Sequence, residues 1–175
     1  MILGANNFLV PLIKTSKRLG FWTIVASPNE KEPGFEYADE KVIVDLCDKN
    51  AVLEAAQKLK IDGVISDQAE TPVRTQAFVA NKMGLPGIGE DKAELFTNKY
   101  LMREKCREIG IDTIKYKLVD NVNDAAKFYE QIGKPMIMKP IDSAGSRGVV
   151  KIEDVQTIYD QFDYSKDASK TGKLL

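Results

Sequence analysis

The first half of the chain shows two alternating patterns of apolar and polar residues. Short apolar runs predict β-strands at residues 1–4, 21–26, 41–46 and 64–66. Between these runs, apolar residues recur every three or four positions, which predicts helices at residues 8–19, 50–60 and 71–83. Strands that alternate with helices over short connections indicate a parallel sheet with helices on both faces.

The second half has a different pattern, with a longer helix and a solvent-facing strand. It predicts helices at residues 91–109, 124–132 and 154–162, and strands at residues 113–119, 136–138 and 149–152. Residues 165–173 are polar and are predicted to be poorly structured. We place the boundary between the halves near residues 87–90. Residues 1–89 then form an α/β domain, and residues 90–175 form a smaller α+β domain.

One stretch, residues 136–152, carries the clearest chemical signal. Its first strand ends in Lys139, and Pro140 then interrupts the strand because proline has no backbone donor. A loop of small and polar residues follows, with Gly145 and Gly148, before apolar residues resume. A lysine on a rigid strand beside exposed amides suits a polyphosphate, since successive N–H groups can form an anion-binding nest. A lone lysine at a strand end is, however, more often a solvent-exposed residue.

Composition narrows the function classes. The 175 residues include 25 basic and 26 acidic side chains, a formal net charge of -1, which gives no support for nucleic acid or a membrane surface as a partner. No apolar run approaches the roughly 20 residues that span a bilayer, and the N-terminus lacks a signal-peptide pattern. We therefore expect a cytoplasmic protein in which Cys47 and Cys106 are reduced. Histidine is absent, which excludes His-based zinc sites and Ser-His-Asp triads.

Two common phosphate-binding motifs are missing from the sequence. The pattern GxxxxGK[ST] does not occur, because the Gly-Lys pair at residues 172–173 is followed by Leu174. A dinucleotide fingerprint needs GxGxxG after the first strand and an acidic residue at the end of the second. Here Gly4 stands alone, and the second predicted strand ends in Ala-Ser-Pro. An NAD-dependent enzyme is therefore disfavoured.

Several segments, taken in order, resemble the ATP-grasp superfamily. The resemblance depends on the segments ILGANN, YADEKVIVD, IDGVIS, MGLPGIG, NKYLMREKCREIGI and GKPMIMKPIDSAGSRGVVKI. Their order resembles biotin carboxylase and the large subunit of carbamoyl-phosphate synthase, in the N-terminal part only. The resemblance implies a Rossmann-like pre-ATP-grasp domain in residues 1–89, with a parallel sheet and helices on both faces. A linking helix and the small α+β N-terminal subdomain of an ATP-grasp module would follow in residues 90–175.

The resemblance also implies site residues. Lys99 and Lys139 would contact the phosphates of ATP. A loop would close over those phosphates, formed by Ser143, Ala144, Gly145, Ser146, Arg147 and Gly148. Four further residues would help to hold the acceptor substrate because they follow strand ends, where ligands of open α/β sheets collect: Asn6, Asn7, Asp67 and Glu70.

Other interpretations of these residues stay open from the sequence. Lys99 lies on a charged helix, where a lysine is usually solvated. Arg147 can clamp a phosphate or brace the loop through Asp142. Asp67 and Glu70 can simply begin a helix, where carboxylates favour the macrodipole.

The family activity implied is ATP-dependent ligation of a carboxylate to an amine, ammonia or another nucleophile through an acyl phosphate. In the family, a second half supplies the adenine-binding strand and the Mg²⁺ ligands, and this chain ends at Leu175, before those features. We therefore expect an N-terminal fragment that is inactive as a ligase alone, and we assign no catalytic residue. It would be a piece cut from a longer protein, half of a split gene or a truncated product.

The expected ligands are ATP, Mg²⁺ and a small carboxylate or amine substrate, and a homodimer is a candidate assembly. The alternative hypothesis is a non-catalytic nucleotide-binding or dimerisation module with a vestigial phosphate loop.

Overall fold

A computed structural model describes residues 1–68, 70–111, 114–133 and 135–175. The chain separates into two compact units, Met1–Glu94 and Leu95–Leu175. Both contain helices and strands, so the fold is mixed α/β. The domain boundary between residues 89 and 90 stays a prediction. No helix in the described part of the chain is both long and apolar enough to cross a bilayer.

The first unit contains a parallel sheet in the order β1-β2-β3. Its strands are β1 (Ile2–Leu3), β2 (Ile24–Ser27) and β3 (Glu40–Ile43). Its first three helices are α1 (Val10–Arg18), α2 (Lys49–Lys58) and α3 (Val73–Met83), with a 3₁₀ helix at Pro33–Tyr37. The predicted strand at residues 64–66 is reduced to one parallel bridge between Ile65 and Ile2.

Both faces of this sheet are covered because side chains alternate along each strand. Ile24 and Ala26 of β2 pack in one cluster with Val52 of α2 and Val79 of α3. Val25, on the opposite face, packs in a second cluster that contains residues of α1 and the 3₁₀ helix. The apolar runs at β1 and β2 therefore correspond to strands buried on two sides, as is typical of parallel sheets, whereas the residues of β3 are half-buried or exposed.

The second unit is built around one antiparallel strand pair. Its elements, together with the helix that crosses the boundary between the units, are α4 (Glu90–Thr97), α5 (Lys99–Glu108), α6 (Val122–Ile132), β4 (Met136–Met138), β5 (Val150–Ile152) and α7 (Val155–Asp167). Met138 pairs with Val150, and Met136 pairs with Ile152. The core of this unit joins Met138 and Ile152 to apolar residues of α6 and α7.

The prediction of one helix over residues 91–109 is wrong, because the helix is interrupted at Asn98. The backbone of Asn98 is extended, with φ -119° and ψ 109°. Its side-chain oxygen accepts hydrogen bonds from the N–H groups of Tyr100 and Leu101, at 3.0 and 3.2 Å. Asn98 is thus the N-cap of α5, which starts one residue later with Lys99.

The strand predicted at residues 113–119 and the unstructured tail predicted at 165–173 also differ from the structure. Asp112 and Thr113 lie outside the described residues, and in the rest of that segment only Val119 pairs, in an isolated bridge with Leu174. The helix α7 continues to Asp167, five residues beyond the predicted end at 162. Leu174 is fully buried. The polar composition of residues 165–173 therefore gave no sign that the end of the chain is held by pairing with distant residues.

Candidate functional site

The backbone of Lys139 is fixed on both sides. Its N–H donates to the carbonyl oxygen of Leu175 at 3.0 Å, and its own carbonyl accepts from the N–H of Leu175 at 2.8 Å. Pro140 follows, is fully buried and forms an antiparallel bridge with Leu174. Lys139 therefore extends from a rigid strand end, as the sequence predicts, although the strand that pairs with it was not predicted.

Lys99 connects α5 to the glycine loop. Its backbone N–H donates to the carbonyl of Ile141 at 2.8 Å. Its ammonium Nζ donates to the carbonyl of Ser143 at 2.5 Å. The side chain is partly buried at this contact. The predicted pair of lysines and the predicted loop thus lie together, and Lys99 contacts the loop's first residue.

Three cations lie close together here. The pKa of Lys139 is lowered, first because burial disfavours its charged form and then because Arg103 and Lys99 repel it. Arg103, one turn along α5 from Lys99, was not singled out from the sequence. Its position four residues after Lys99 on the same helix was the signal that could have identified it. A bound polyanion would offset this repulsion.

The loop from Ser143 to Gly148 is braced internally. The hydroxyl of Ser143 donates to the carbonyl of Arg147 at 3.1 Å. The Nε of Arg147 donates to the carbonyl of Ala144 at 3.2 Å. Gly145 and Ser146 adopt left-handed backbone conformations, with φ of 64° and 58°. Arg147 therefore braces the loop, but through Ala144 and not through the predicted partner Asp142.

Asp142 ties the start of the loop to the turn after α7. Its carboxylate accepts from the hydroxyl of Ser169 at 2.9 Å and from the N–H groups of Lys170 and Thr171 at 3.1 and 3.0 Å. Burial alone would raise the pKa of Asp142, but the hydrogen bonds from Ser169, Thr171 and Lys170 outweigh it and lower that pKa. The carboxylate acts as a fixed anchor for the loop.

Gly148 closes the other end of the loop by close packing. A Cβ added there would lie 2.6 Å from the Cβ of Ala168 and 2.8 Å from the Cγ of Pro140. Gly148 is therefore packed closely against the protein's own side chains, and its predicted place in a phosphate-binding loop stays a prediction. At Gly145 an added Cβ would meet nothing within 4 Å, and the residue is exposed.

The predicted substrate residues lie in the first unit, and two of the four brace local turns. The Oδ1 of Asn6 accepts from the N–H of Phe8 at 2.9 Å, and Asn7 is exposed. The Oδ1 of Asp67 accepts from the N–H of Gln68 at 2.8 Å. Glu70 is exposed, and Ala69 beside it lies outside the described residues. Their role in substrate binding stays a prediction.

A cavity of about 460 Å³ opens in the second unit beside Lys139 and Arg103. Its other walls are mainly apolar and come from residues 114–119, α6, β4 and α7. No pattern in the sequence indicated this cavity, since it depends on how distant segments are spaced. Across the described ranges, no group of three or more His, Cys, Asp or Glu side chains is arranged to hold a metal ion.

Known proteins similar to this chain include formyltransferases and a ligase. A formate-dependent phosphoribosylglycinamide formyltransferase of Actinobacillus pleuropneumoniae serotype 3 is 25% identical over 174 residues, which cover 98% of this chain and 44% of that enzyme. The alanine–anticapsin ligase of Bacillus subtilis is 31% identical over 120 residues, which cover 69% of this chain and 25% of the ligase. No protein-family model matches the chain.

Solved structures share the fold. The biotin carboxylase domain of a Hydrogenobacter thermophilus 2-oxoglutarate carboxylase, crystallised with MgADP, ADP and bicarbonate, matches with a TM-score of 0.80 at 18% identity. The match covers 99% of this chain and 42% of that one. The chain thus spans less than half the length of the proteins it matches. Relatives that match nearly the whole of this chain over less than half of their own length show that the chain belongs to the ATP-grasp superfamily and corresponds to its N-terminal part.

Proposed function

We propose that this chain is the N-terminal part of an ATP-dependent ligase and that its second unit binds the phosphates of ATP. The observation that carries the proposal is the convergence of Lys99, Arg103 and Lys139 beside a loop rich in small residues. Like charges held close together at a partly buried site favour a polyanionic ligand, because the ligand offsets their mutual repulsion.

Each group would have a defined task. Lys139, fixed by its backbone pairing with Leu175, would provide a point charge at a set position. Lys99 would release the carbonyl of Ser143 and donate to a phosphate oxygen instead. That hydrogen bond would be stronger because the acceptor is charged. The exposed amides near Gly145 and Ser146 would provide further donors. In phosphoryl transfer such positioning and neutralisation supply most of the catalysis.

We further propose that residues 1–89 are the pre-ATP-grasp domain and that residues 90–175 contain the linking helix and N-terminal subdomain. Asn6, Asn7, Asp67 and Glu70 would then face the acceptor, a small carboxylate or amine that would react through an acyl phosphate. Magnesium, when bound, would neutralise phosphate charge, and its ligands would come from a second half of the module. This chain alone would then release no ADP, and we assign it no metal-dependent step.

Titration with Mg·ATP, followed by the backbone amide signals of residues 143–148, tests the proposed site. We expect saturable shifts at the loop, weakened at least tenfold by Lys139→Ala. That change leaves the backbone pairing with Leu175 in place, since it removes only a side chain. The matched control is Lys105→Ala on α5, which removes an exposed lysine paired with Glu108 and should not change the affinity. Affinity should also fall as pH rises through the lowered pKa of Lys139, because the ammonium loses its charge.

One observation favours a second function. Lys99 and Arg147 both donate to carbonyls of the loop itself, as residues of a vestigial loop could do. The chain would then be a non-catalytic binding or dimerisation module. A loop whose amides do not shift with Mg·ATP would support that function and contradict the first. ADP release by this chain at the rate of a longer parent protein would contradict the proposal that a second half is required.

A further inference from the structure

Arg103 and Lys139 line the same cavity of the second unit, although both side chains are positively charged. The other charged side chains that line it, among the residues described, are Lys115 and Lys117, which are basic as well. In the absence of a ligand these charges repel one another. Contacts elsewhere on α5 are therefore needed to keep Arg103 beside Lys139.

The start of α5 is fixed by the backbone. Asn98 caps the helix, and the N–H of Lys99 donates to the carbonyl of Ile141 at 2.8 Å. These contacts determine where the helix begins. A helix that is held only at its start can still turn about its axis, and such a rotation would carry Arg103 away from Lys139 because side chains project outward from the axis.

A cluster of side chains centred on Tyr116 holds α5 further along. The phenol of Tyr116 donates to the Oε1 of Glu104 at 2.6 Å, and this contact is partly buried. Arg107, on the next turn, donates to the other oxygen of the same carboxylate. The ring of Tyr116 also meets the ring of Tyr100 edge to face, with the ring centroids 6.3 Å apart. Tyr116 therefore contacts two residues of α5 that lie four positions apart, on one face of the helix.

The two residues that Tyr116 contacts are the immediate neighbours of the cations. Tyr100 follows Lys99 in the sequence, and Glu104 follows Arg103. Successive residues of an α-helix are about 100° apart around its axis, so the face held by Tyr116 lies about 100° from the face that carries the cations. Tyr116 thus fixes the direction of the cationic face without covering it.

We propose that Tyr116 is a positioning residue of the proposed phosphate site: by holding Glu104 and Tyr100, it fixes the rotation of α5 and keeps Arg103 beside Lys139. In this role it acts through Arg103 and not through contact with the ligand. The lowered pKa of Lys139 agrees with this placement, since burial and then repulsion by Arg103 and Lys99 lower it. The inference rests on the proposed function for its effect on phosphate binding, but the placement of Arg103 is measured without a ligand.

The test is a double-substitution cycle on the pKa of Lys139, followed in the unliganded chain by the NMR chemical shift of its Cε. The variants are Tyr116→Phe, which removes the hydroxyl and keeps the ring, Arg103→Met, and the two combined. The matched control is Tyr159→Phe, which removes the hydroxyl of an exposed tyrosine on α7. Affinity for inorganic tripolyphosphate is measured on the same samples.

We expect Arg103→Met to raise the pKa of Lys139 because it removes a repelling charge, and Tyr116→Phe to raise it by a smaller amount. When Arg103 is already replaced, Tyr116→Phe should cause no further change, since the residue that it positions is gone. This non-additivity separates positioning from a general loss of structure. Tyr116→Phe should also weaken tripolyphosphate binding about fivefold, as expected for the loss of one hydrogen bond. Tyr159→Phe should change neither quantity.

An unchanged or lowered pKa of Lys139 in Tyr116→Phe would overturn the inference. An equal rise with and without Arg103 would also overturn it, because Tyr116 would then act on Lys139 by another route. If the unsubstituted chain does not bind tripolyphosphate, the proposed function is contradicted, whereas the placement of Arg103 by Tyr116 is decided by the pKa cycle alone.

Discussion

Replacing each of the two loop glycines by alanine should separate backbone strain from close packing. Gly145 and Gly148 both have left-handed backbone conformations, with φ of 64° and 72°. They differ in their surroundings: an added Cβ at Gly145 meets nothing within 4 Å, whereas at Gly148 it would lie 2.6 Å from the Cβ of Ala168. Gly145→Ala is therefore a control for Gly148→Ala, since the two changes share the backbone cost.

The expected magnitudes follow from these two terms. A left-handed conformation costs a residue with a Cβ about 1–2 kcal/mol, so Gly145→Ala should lower the free energy of unfolding by about that amount. At Gly148 the contacts with Ala168 and Pro140 are with short or cyclic side chains that cannot rotate away. Overpacking of this kind adds about 1–3 kcal/mol. Gly148→Ala should therefore cost about 2–5 kcal/mol in total.

Urea unfolding provides the assay, provided that the second unit is followed separately. The backbone amide signals of Ile152 and Ile158, both buried in that unit, report its unfolding directly. We expect Gly148→Ala to shift the midpoint for these signals further than Gly145→Ala does. Equal losses at the two positions would refute the argument that Gly148 is required for packing. A larger loss at Gly145 would mean that the loop tip is more constrained than its exposure indicates.

Three further outcomes can be measured, each with its own assay. Asn98→Ala should destabilise the second unit by about 1 kcal/mol in urea unfolding, because it removes the N-cap of α5, and Asn98→Asp should retain most of the stability. The carboxyl of Asp39 should titrate with a pKa of about 2 by NMR, chiefly because Lys17 donates to it, and Lys17→Met should raise that value. The stabilisation from Asp39 is then present above its ordinary pKa of 3.8 and is lost as pH falls through about 2. Asp142→Asn should accelerate amide exchange at Thr171 at least tenfold, since a weaker acceptor replaces the carboxylate.

The sequence was sufficient for features that depend on local residue type. The strand before Lys139 and the loop after Pro140 lie where the apolar run and the small residues predict them, but Pro140 does not end the pairing, because it forms a bridge with Leu174. Asn98 also carried a local signal that the prediction of one helix over residues 91–109 did not use, because asparagine is a preferred N-cap.

Contacts between distant segments could not be predicted in this way. Asp142 accepts hydrogen bonds from residues 27 to 29 positions further along the chain. Leu174 lies between two segments that are far apart in sequence, and its burial follows from that pairing and not from its polar neighbours. Alternation in residues 113–119 predicted a strand, but among the described residues of that segment only Val119 pairs, in one bridge with Leu174. A strand forms only where a partner pairs with it.

The anchoring of the loop explains how a phosphate site could form without refolding. Asp142 at one end and Gly148 at the other are held against residues 168–171, while Gly145 between them is exposed. Two of the contacts that restrain this exposed part are donated by the side chains of Lys99 and Arg147 to neutral carbonyls. In the proposed site a phosphate would replace those carbonyls with charged oxygens, which accept stronger hydrogen bonds. Ligand binding would then require only an exchange of acceptors at the loop tip, because both ends of the loop are fixed by contacts that the ligand does not touch.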